Sequence, residues 1–268
     1  MLRELIDLLR TRCAPGARKL GLAYEAAAIA ARYRRVGVSW EPHLKASHAA
    51  ILGGAGRCRS HQRVLVIGAG ACLDVPVAAL AERFAEVILA DVAVSPGSRR
   101  WQRRLPGRVR ALAWDATGAL AALADARRTA TAEIAEKLFS SSEPGESPGG
   151  EPDLIVSANC LSQLGLIPAD RLAAAGSDDE LVRRCVQAAA RRHLAWLAAR
   201  PGVRVLLSDV ARLDVAIDGR ELVRRTIFER LKLRAPDQSW RWNLGPIPEF
   251  SREWHRVHEV GAWIDGPA

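Results

Sequence analysis

The chain has 268 residues, 49% of them hydrophobic and 26% charged, with a formal net charge of +9. One α/β domain fills that length, and its core needs no disulfide or metal staple. No apolar run approaches the roughly 18 residues of a helical membrane span, so no membrane partner is expected. The five cysteines, Cys13, Cys58, Cys72, Cys160 and Cys185, are odd in number and have no Cys-x-x-Cys spacing. They signal neither a disulfide framework nor a zinc site, and a reducing cytoplasm is the expected compartment. The first residues carry Glu4 and lack an apolar h-region, so no signal peptide is expected. The positive charge comes almost wholly from arginines scattered along the chain. They form no basic stripe with interleaved aromatics, so nucleic acid is a possible partner but not the favoured one.

In chain order, Leu2, Leu5, Ile6 and Leu9 repeat at helical spacing, and Pro15-Gly16 ends that helix. A second helix is predicted over 18–35, with Tyr24, Ala27, Ala28 and Ala31 on one face. Ser39-Trp40-Glu41-Pro42 reads as a break, 43–52 as a short third helix, and Gly53-Gly54-Ala55-Gly56 as a linker. From residue 63 the pattern changes. Val64–Ile67, Val87–Ala90, Val109–Ala113, Leu154–Val156 and Val203–Leu207 are short continuous apolar runs, as strands buried on both faces require. Helical stretches alternate with them, which indicates βαβ units and a parallel sheet. The polar Gly/Pro-rich segment 140–152 reads as a surface loop. Ser177 and Glu180 have capping-box spacing at the start of a helix over about 178–199. Near the end, Ser239–Leu244 and Trp254–Val260 alternate as an antiparallel strand pair would, with Trp240 and Trp242 on one face, read as core.

The chemistry-bearing residues fall at strand ends. Gly68-Ala69-Gly70 follows the first strand, where glycines allow a sharp turn and a close approach to a ligand. Asp74 reads as the cap of the next helix, with Pro76 in its first turn. Asp91 ends the second strand about 20 residues after Gly68, the spacing of an acid that accepts from ribose hydroxyls. Asp115, just past the third strand, is placed either to accept from an adenine amine or to cap the turn at Ala116-Thr117-Gly118.

On these stretches, together with Asp153–Asn159, residues 63–209 resemble the core of class I S-adenosylmethionine-dependent methyltransferases. The resemblance implies a doubly wound, seven-stranded, mostly parallel sheet whose last hairpin is reversed, with S-adenosylmethionine as cofactor. By it, Gly68, Ala69 and Gly70 pass the methionine moiety, Asp91 holds the ribose and Asp115 the adenine. Asn159 to Gln163 line the floor near the sulfonium and the acceptor, with Asn159 on the cofactor side and Ser162 and Gln163 on the substrate side. The chain departs from the family pattern at Val66, where an acid is common, and at Ala71 and Cys72, where a third glycine is. The Asn-Pro-Pro-Tyr loop of exocyclic-amine methylases is absent at Asn159-Cys160-Leu161-Ser162, and Cys160 has no preceding proline and reads as a core thiol. A nicotinamide site ranks lower, because Leu73 stands where the last glycine of Gly-x-Gly-x-x-Gly would be.

The expected organisation is an N-terminal helical cap, 1–62, over a core at 63–268. The expected acceptor is a small molecule. An RNA or protein methylase is the alternative, and it would need arginines such as Arg99, Arg100, Arg103, Arg104 and Arg108 to form one contiguous face around the pocket. A relative transferring an aminopropyl group is a third reading. Candidate bases are Asp209, His43 and His48, with His255 and His258 behind them; Asp209 leads because ligands bind at the carboxyl ends of strands.

Overall fold

The computed structural model describes residues 2–125, 141–166, 169–170, 173, 176, 178–228, 231 and 233–268. Its elements begin with α1 (Leu2–Arg10), β1 (Arg12–Cys13) and α2 (Leu22–Ala55). Then come β2 (Arg63–Ile67), α3 (Val77–Arg83), β3 (Glu86–Asp91), β4 (Ala93–Val94), α4 (Pro96–Arg104), β5 (Val109–Ala113) and α5 (Leu120–Asp125). The remainder is β6 (Leu154–Ala158), α6 (Asp179–Ala198), β7 (Val203–Ala216), β8 (Glu221–Thr226), β9 (Gln238–Gly245) and β10 (Trp254–Asp265).

The main sheet runs β5-β3-β2-β6-β7-β10-β9. β2, β3, β5, β6 and the first half of β7 are parallel, and β10 and β9 return antiparallel. The expected seven strands are all present. An eighth, β8, was not anticipated and pairs with the outer half of β7. The chain steps outward from β2 to β3 and β5, then crosses back to β6 on the other side of β2, so the crevice of the switch point opens at the carboxyl ends of β2 and β6.

The apolar runs are buried on both faces, as their composition demands. Val64 and Val66 pack into one core with Ile51, Leu80 and Phe84. Leu65 and Ile67 pack into the other with Ala190, Trp196 and Leu197 from α6. Helices on both faces make the sheet doubly wound.

The N-terminal region differs from expectation. One helix, α2, covers the span read as two helices, a break and a linker. Its kink lies at Val36 (φ −126°, ψ 17°) and not at 39–42. Gly37 packs against the Tyr33 ring, and Ser39 Oγ donates to the Val36 carbonyl at 2.7 Å. The kink's disturbed hydrogen bonding is thereby met locally, and Pro42 sits inside the helix that follows. Ala23, Ala27 and Ala31 form the buried stripe, while Tyr24 is exposed. The apolar residues Leu5, Ile6 and Leu9 of α1 are exposed as well. A two-strand ladder of β1 with β4 is another element the periodicity did not reveal.

Two caps also differ. Asp178 caps α6 by accepting from the Leu181 amide at 2.9 Å, whereas the expected Ser177 lies outside the described residues. α3 starts at Val77 with Pro76 at its cap position and no side-chain cap, so Asp74 is free of that role. Residues 141–152 run along the surface, with Arg192 donating to the Ser142 carbonyl and Glu143 Oε1, each at 3.1 Å. No helix among the described residues is long and apolar enough to cross a membrane.

Of the supposed linker glycines, Gly54 is a packing position and Gly53 is not. A Cβ on Gly54 would meet Val205 Cγ2 at 2.2 Å, whereas one on Gly53 would meet only Ile264 Cδ1 at 3.9 Å. Gly54→Ala is expected to destabilise by about 1–3 kcal/mol through overpacking. Gly53→Ala is expected to be neutral or stabilising by up to about 1 kcal/mol through helix propensity. Urea denaturation of both variants decides; equal effects would contradict this packing.

Candidate functional site

The cavity at the carboxyl ends of the parallel strands has a volume of about 630 Å³. That lies in the range of small-molecule sites. Gly68, Ala69, Gly70, Asp91, Asp115, Asn159, Ser162, Gln163, Asp209 and His43 all line it. One candidate, His48, does not: it bonds the Leu73 carbonyl at 3.0 Å from behind the loop, a structural role. His255 also lies outside, with Nδ1 accepting from the Ile247 amide at 3.2 Å.

The glycine loop is held by its neighbours. Gly68 has φ +74°, and a Cβ there would meet Cys160 Cβ at 2.7 Å and the Ala158 carbonyl at 2.8 Å, so both conformation and space demand glycine. Gly70 adopts φ +48°. Asp91 Oδ2 accepts from the Gly70 amide at 2.8 Å, and Oδ1 from the Ala93 amide at 2.8 Å. Burial raises the Asp91 pKa, and those two amide bonds oppose the rise. Ser95 and Ser98 at the start of α4 both donate to the Gly70 carbonyl, at 2.7 and 2.5 Å. Neither serine was singled out from the sequence.

Asp115 does what its alternative reading described. Oδ1 accepts from the Thr117 amide at 2.8 Å and its hydroxyl at 2.7 Å, and Oδ2 from the Leu120 amide at 2.9 Å. It caps the turn into α5 while edging the cavity, which leaves little acceptor capacity for a ligand. Asn159, at φ +50°, donates through Nδ2 to Asp74 Oδ2 at 2.6 Å. Its Oδ1 is buried without a hydrogen-bond partner. Asp74 thus faces the cavity beside an orphaned acceptor. Its place four residues past Gly70 in the same loop was the available signal, hidden by the helix-cap reading. Gln163 braces this corner by donating to the Asn159 carbonyl at 2.7 Å.

The opposite wall comes from the long strands. Ser162 Oγ donates to Asp209 Oδ1, and His258 Nδ1 lies 2.9 Å from Asp209 Oδ2. Among the described residues, neither His258 nitrogen has a hydrogen-bond partner, so the approach of Nδ1 to Asp209 is a charge contact rather than a hydrogen bond. On a regular strand, Asp209 and Arg212 would face opposite ways. A register shift pairs Val260 with Asp209 but Glu259 with Ala211, leaving Val210 as an extra residue. This bulge brings both Asp209 and Arg212 onto the cavity.

His43 does not serve as a base. Trp240 Nε1 donates to its Nδ1 at 3.0 Å, and Trp242 stacks on the ring at 4.0 Å with planes 7° apart. The lone pair is therefore on the occupied nitrogen, and Nε2 of the neutral ring carries the proton. Burial pushes the His43 pKa down to about 4, so the ring is neutral near pH 7. Trp242, read as core, lines the cavity, whereas Trp240 packs against the core. Burial holds the Cys160 thiol at about 12, consistent with an inert side chain. None of Arg99, Arg100, Arg103, Arg104 and Arg108 lines the cavity itself, whereas Arg212 and Arg225 do.

No family model matches the chain, and no curated protein does. Among solved structures, it aligns with the Burkholderia thailandensis 1,6-didemethyltoxoflavin-N1-methyltransferase, which holds 1,6-didemethyltoxoflavin and S-adenosylhomocysteine. That alignment has 17% identity and a TM-score of 0.41, over 95% of this chain and 92% of that one. A sugar N-methyltransferase from a Streptoalloteichus species aligns at 14% identity and TM-score 0.29, over 70% and 60% of the two chains. A glycopeptide N-methyltransferase complexed with S-adenosyl-L-methionine aligns at 13% and 0.31, over 79% and 75%. Likeness at this level carries no assignment of ligand or reaction.

The buried histidines make stability depend on pH. His43 and His193 both sit near 4, chiefly through burial, against an ordinary 6.5. Between those values the unfolded chain binds more protons than the native one, so stability falls as pH falls. From pH 7 to pH 5 the loss is expected to be roughly 2 kcal/mol per histidine. Denaturant unfolding at both pH values checks this. His193→Gln should remove about half of the loss, and an unchanged difference would contradict it.

Proposed function

We propose that this chain is an S-adenosylmethionine-dependent methyltransferase acting on a small-molecule acceptor. The observation that carries the reading is the single cavity wall shared by the Gly68–Gly70 loop, Asp74, Asp91 and Asn159 at the switch point of the sheet. The division into a cap, 1–62, and a core, 63–268, belongs to the same reading: Leu22, Glu25, Ile29 and Trp40 of α2 close one side of the cavity.

The residues fit the cofactor. Asp74 and the orphaned Asn159 Oδ1 form an acceptor pair suited to the ammonium of its amino-acid part. This pair compensates for Val66, which is fully buried where an acid is common in the family. Asp91 keeps further lone pairs for ribose hydroxyls beyond the two amides it already accepts. Asp115 would serve the cofactor by ordering the turn at Thr117 and Leu120 rather than by accepting from the adenine amine. When bound, S-adenosylmethionine supplies an already activated methyl group.

The chain then has to orient the acceptor, exclude water and take a proton where the acceptor releases one. Asp209 and His258 form the acid–base pair. A proton taken at His258 Nε2 gives an imidazolium that Asp209 Oδ2 stabilises through Nδ1, and Ser162 fixes the carboxylate. His43 presents an N–H, a donor that can orient the acceptor.

Calorimetry with S-adenosylhomocysteine tests the cofactor. Saturable binding is expected, weakened by about 1–3 kcal/mol in Asp91→Ala. No binding by the wild type would end the reading, and unchanged affinity in the variant would remove Asp91 from the site. With an acceptor in hand, mass analysis should find S-adenosylhomocysteine rather than methylthioadenosine. Asp209→Asn should then slow turnover by about 10²–10⁴.

A further inference from the structure

Four consecutive strands contribute one aligned row to the cavity. Trp242 on β9 pairs with His258 on β10, His258 with Arg212 on β7, and Arg212 with Arg225 on β8. All four line the cavity. The two arginines are directly opposed across an antiparallel ladder, where like charges repel and destabilise the pair.

Their surroundings do not neutralise them. Among the described residues, neither Arg212 nor Arg225 has an ion-pair or hydrogen-bond partner. The adjacent arginines all have one. Arg224 pairs with Glu259 at 2.5 Å, Arg241 with Glu221 at 2.8 Å, and Arg256 with Asp214 at 2.9 Å. Asp214, the carboxylate that acts on Arg212, is held by Arg256, and Asp209 in the same wall is occupied by Ser162 and His258. Arg212 is half-buried, and burial, then Arg256 and Arg225, lower its pKa. Two facing guanidinium groups are thus left without a partner among the described residues at the place where they meet the cavity.

We propose that Arg212 and Arg225 bind an anionic oxygen group, a carboxylate or a phosphate, on the methyl acceptor. Two guanidinium forks on neighbouring strands match the paired oxygens of either anion. The group would lie one strand away from His258 at the same register, so it would anchor the acceptor with its nucleophile toward the acid–base pair. The inference rests on the methyltransferase reading for the word acceptor, but the anion site itself does not.

Ligand-observed NMR titration tests it, with benzoate and phenyl phosphate as the two probes, in the presence and absence of S-adenosylhomocysteine. Saturable binding of at least one probe is expected. It should weaken tenfold or more in Arg212→Gln and Arg225→Gln, and stay unchanged in Arg224→Gln. Preference between the probes distinguishes carboxylate from phosphate. No saturable binding by the wild type, or equal binding in the Arg212→Gln/Arg225→Gln double variant, overturns the proposal. Calorimetry with S-adenosylhomocysteine on the same samples separates the two readings. Anion binding without nucleoside binding would keep this site and remove the cofactor.

Discussion

The unequal length of the strands governs the site. β2 and β6 are five residues long, but β7 runs for 14. Its parallel partner ends at the Ala158–Leu207 pair. Beyond that point the backbone groups of β7 need other partners, because unpaired strand edges invite aggregation. β10 follows β7 along its whole length, and β8 covers the other edge. The overhang therefore becomes a second, antiparallel wall standing above the carboxyl ends of the parallel strands. Without it the crevice would be open to solvent on the side away from Asp91.

Within that wall, one extra residue sets the chemistry. The bulge at Val210 shifts the alternation, so Asp209 and Arg212 share a side while Ala211, Leu213 and Val215 pack together in a separate apolar cluster. The bulge is itself held, because Ile227 donates to the Val210 carbonyl at 2.9 Å. Bulges near sites serve to re-aim side chains. Here the re-aimed groups are the carboxylate that contacts His258 and the guanidinium that faces Arg225. The parallel half of the sheet is complementary in character. It offers backbone amides and carboxylates around Gly68–Gly70, whereas the overhang offers imidazole and guanidinium groups.

Much of this was legible in the sequence wherever a residue's role is local. Five apolar runs predict the parallel strands because burial on both faces leaves no other composition, and Gly68 is legible because its neighbours leave no room for a Cβ. What stayed hidden depends on tertiary partners. The kink of α2 falls at Val36 because Gly37, Tyr33 and Ser39 settle it, while Pro42, the stronger local signal, is absorbed within the helix. β8 has no apolar alternation, since all six of its residues are exposed, and only pairing with β7 makes it a strand. Asp74 lacks the cap role expected of it, and Asp115 takes the capping alternative of its two. Each had capping geometry by sequence, and only the fold shows that Asn159 claims the first and the Thr117 and Leu120 amides claim the second.

His43 illustrates how a side chain's chemistry follows from a distant strand. A histidine beside a cavity reads as a base when its own element is all that is known. The indole of Trp240, some 200 residues later, donates to Nδ1 and fixes the tautomer, and stacking on Trp242 fixes the ring plane. Trp40 holds the same junction by donating to the Leu244 carbonyl at 3.0 Å. The helix α2 is thus tied to β9 by two indole hydrogen bonds, one in each direction across the interface. The cap side of the cavity and the overhang wall are positioned by the same contact. A neutral imidazole locked as a donor is a poor proton acceptor but a stable directional group. Under the proposed function, proton transfer would then fall to Asp209 and His258, and orientation of the acceptor to His43.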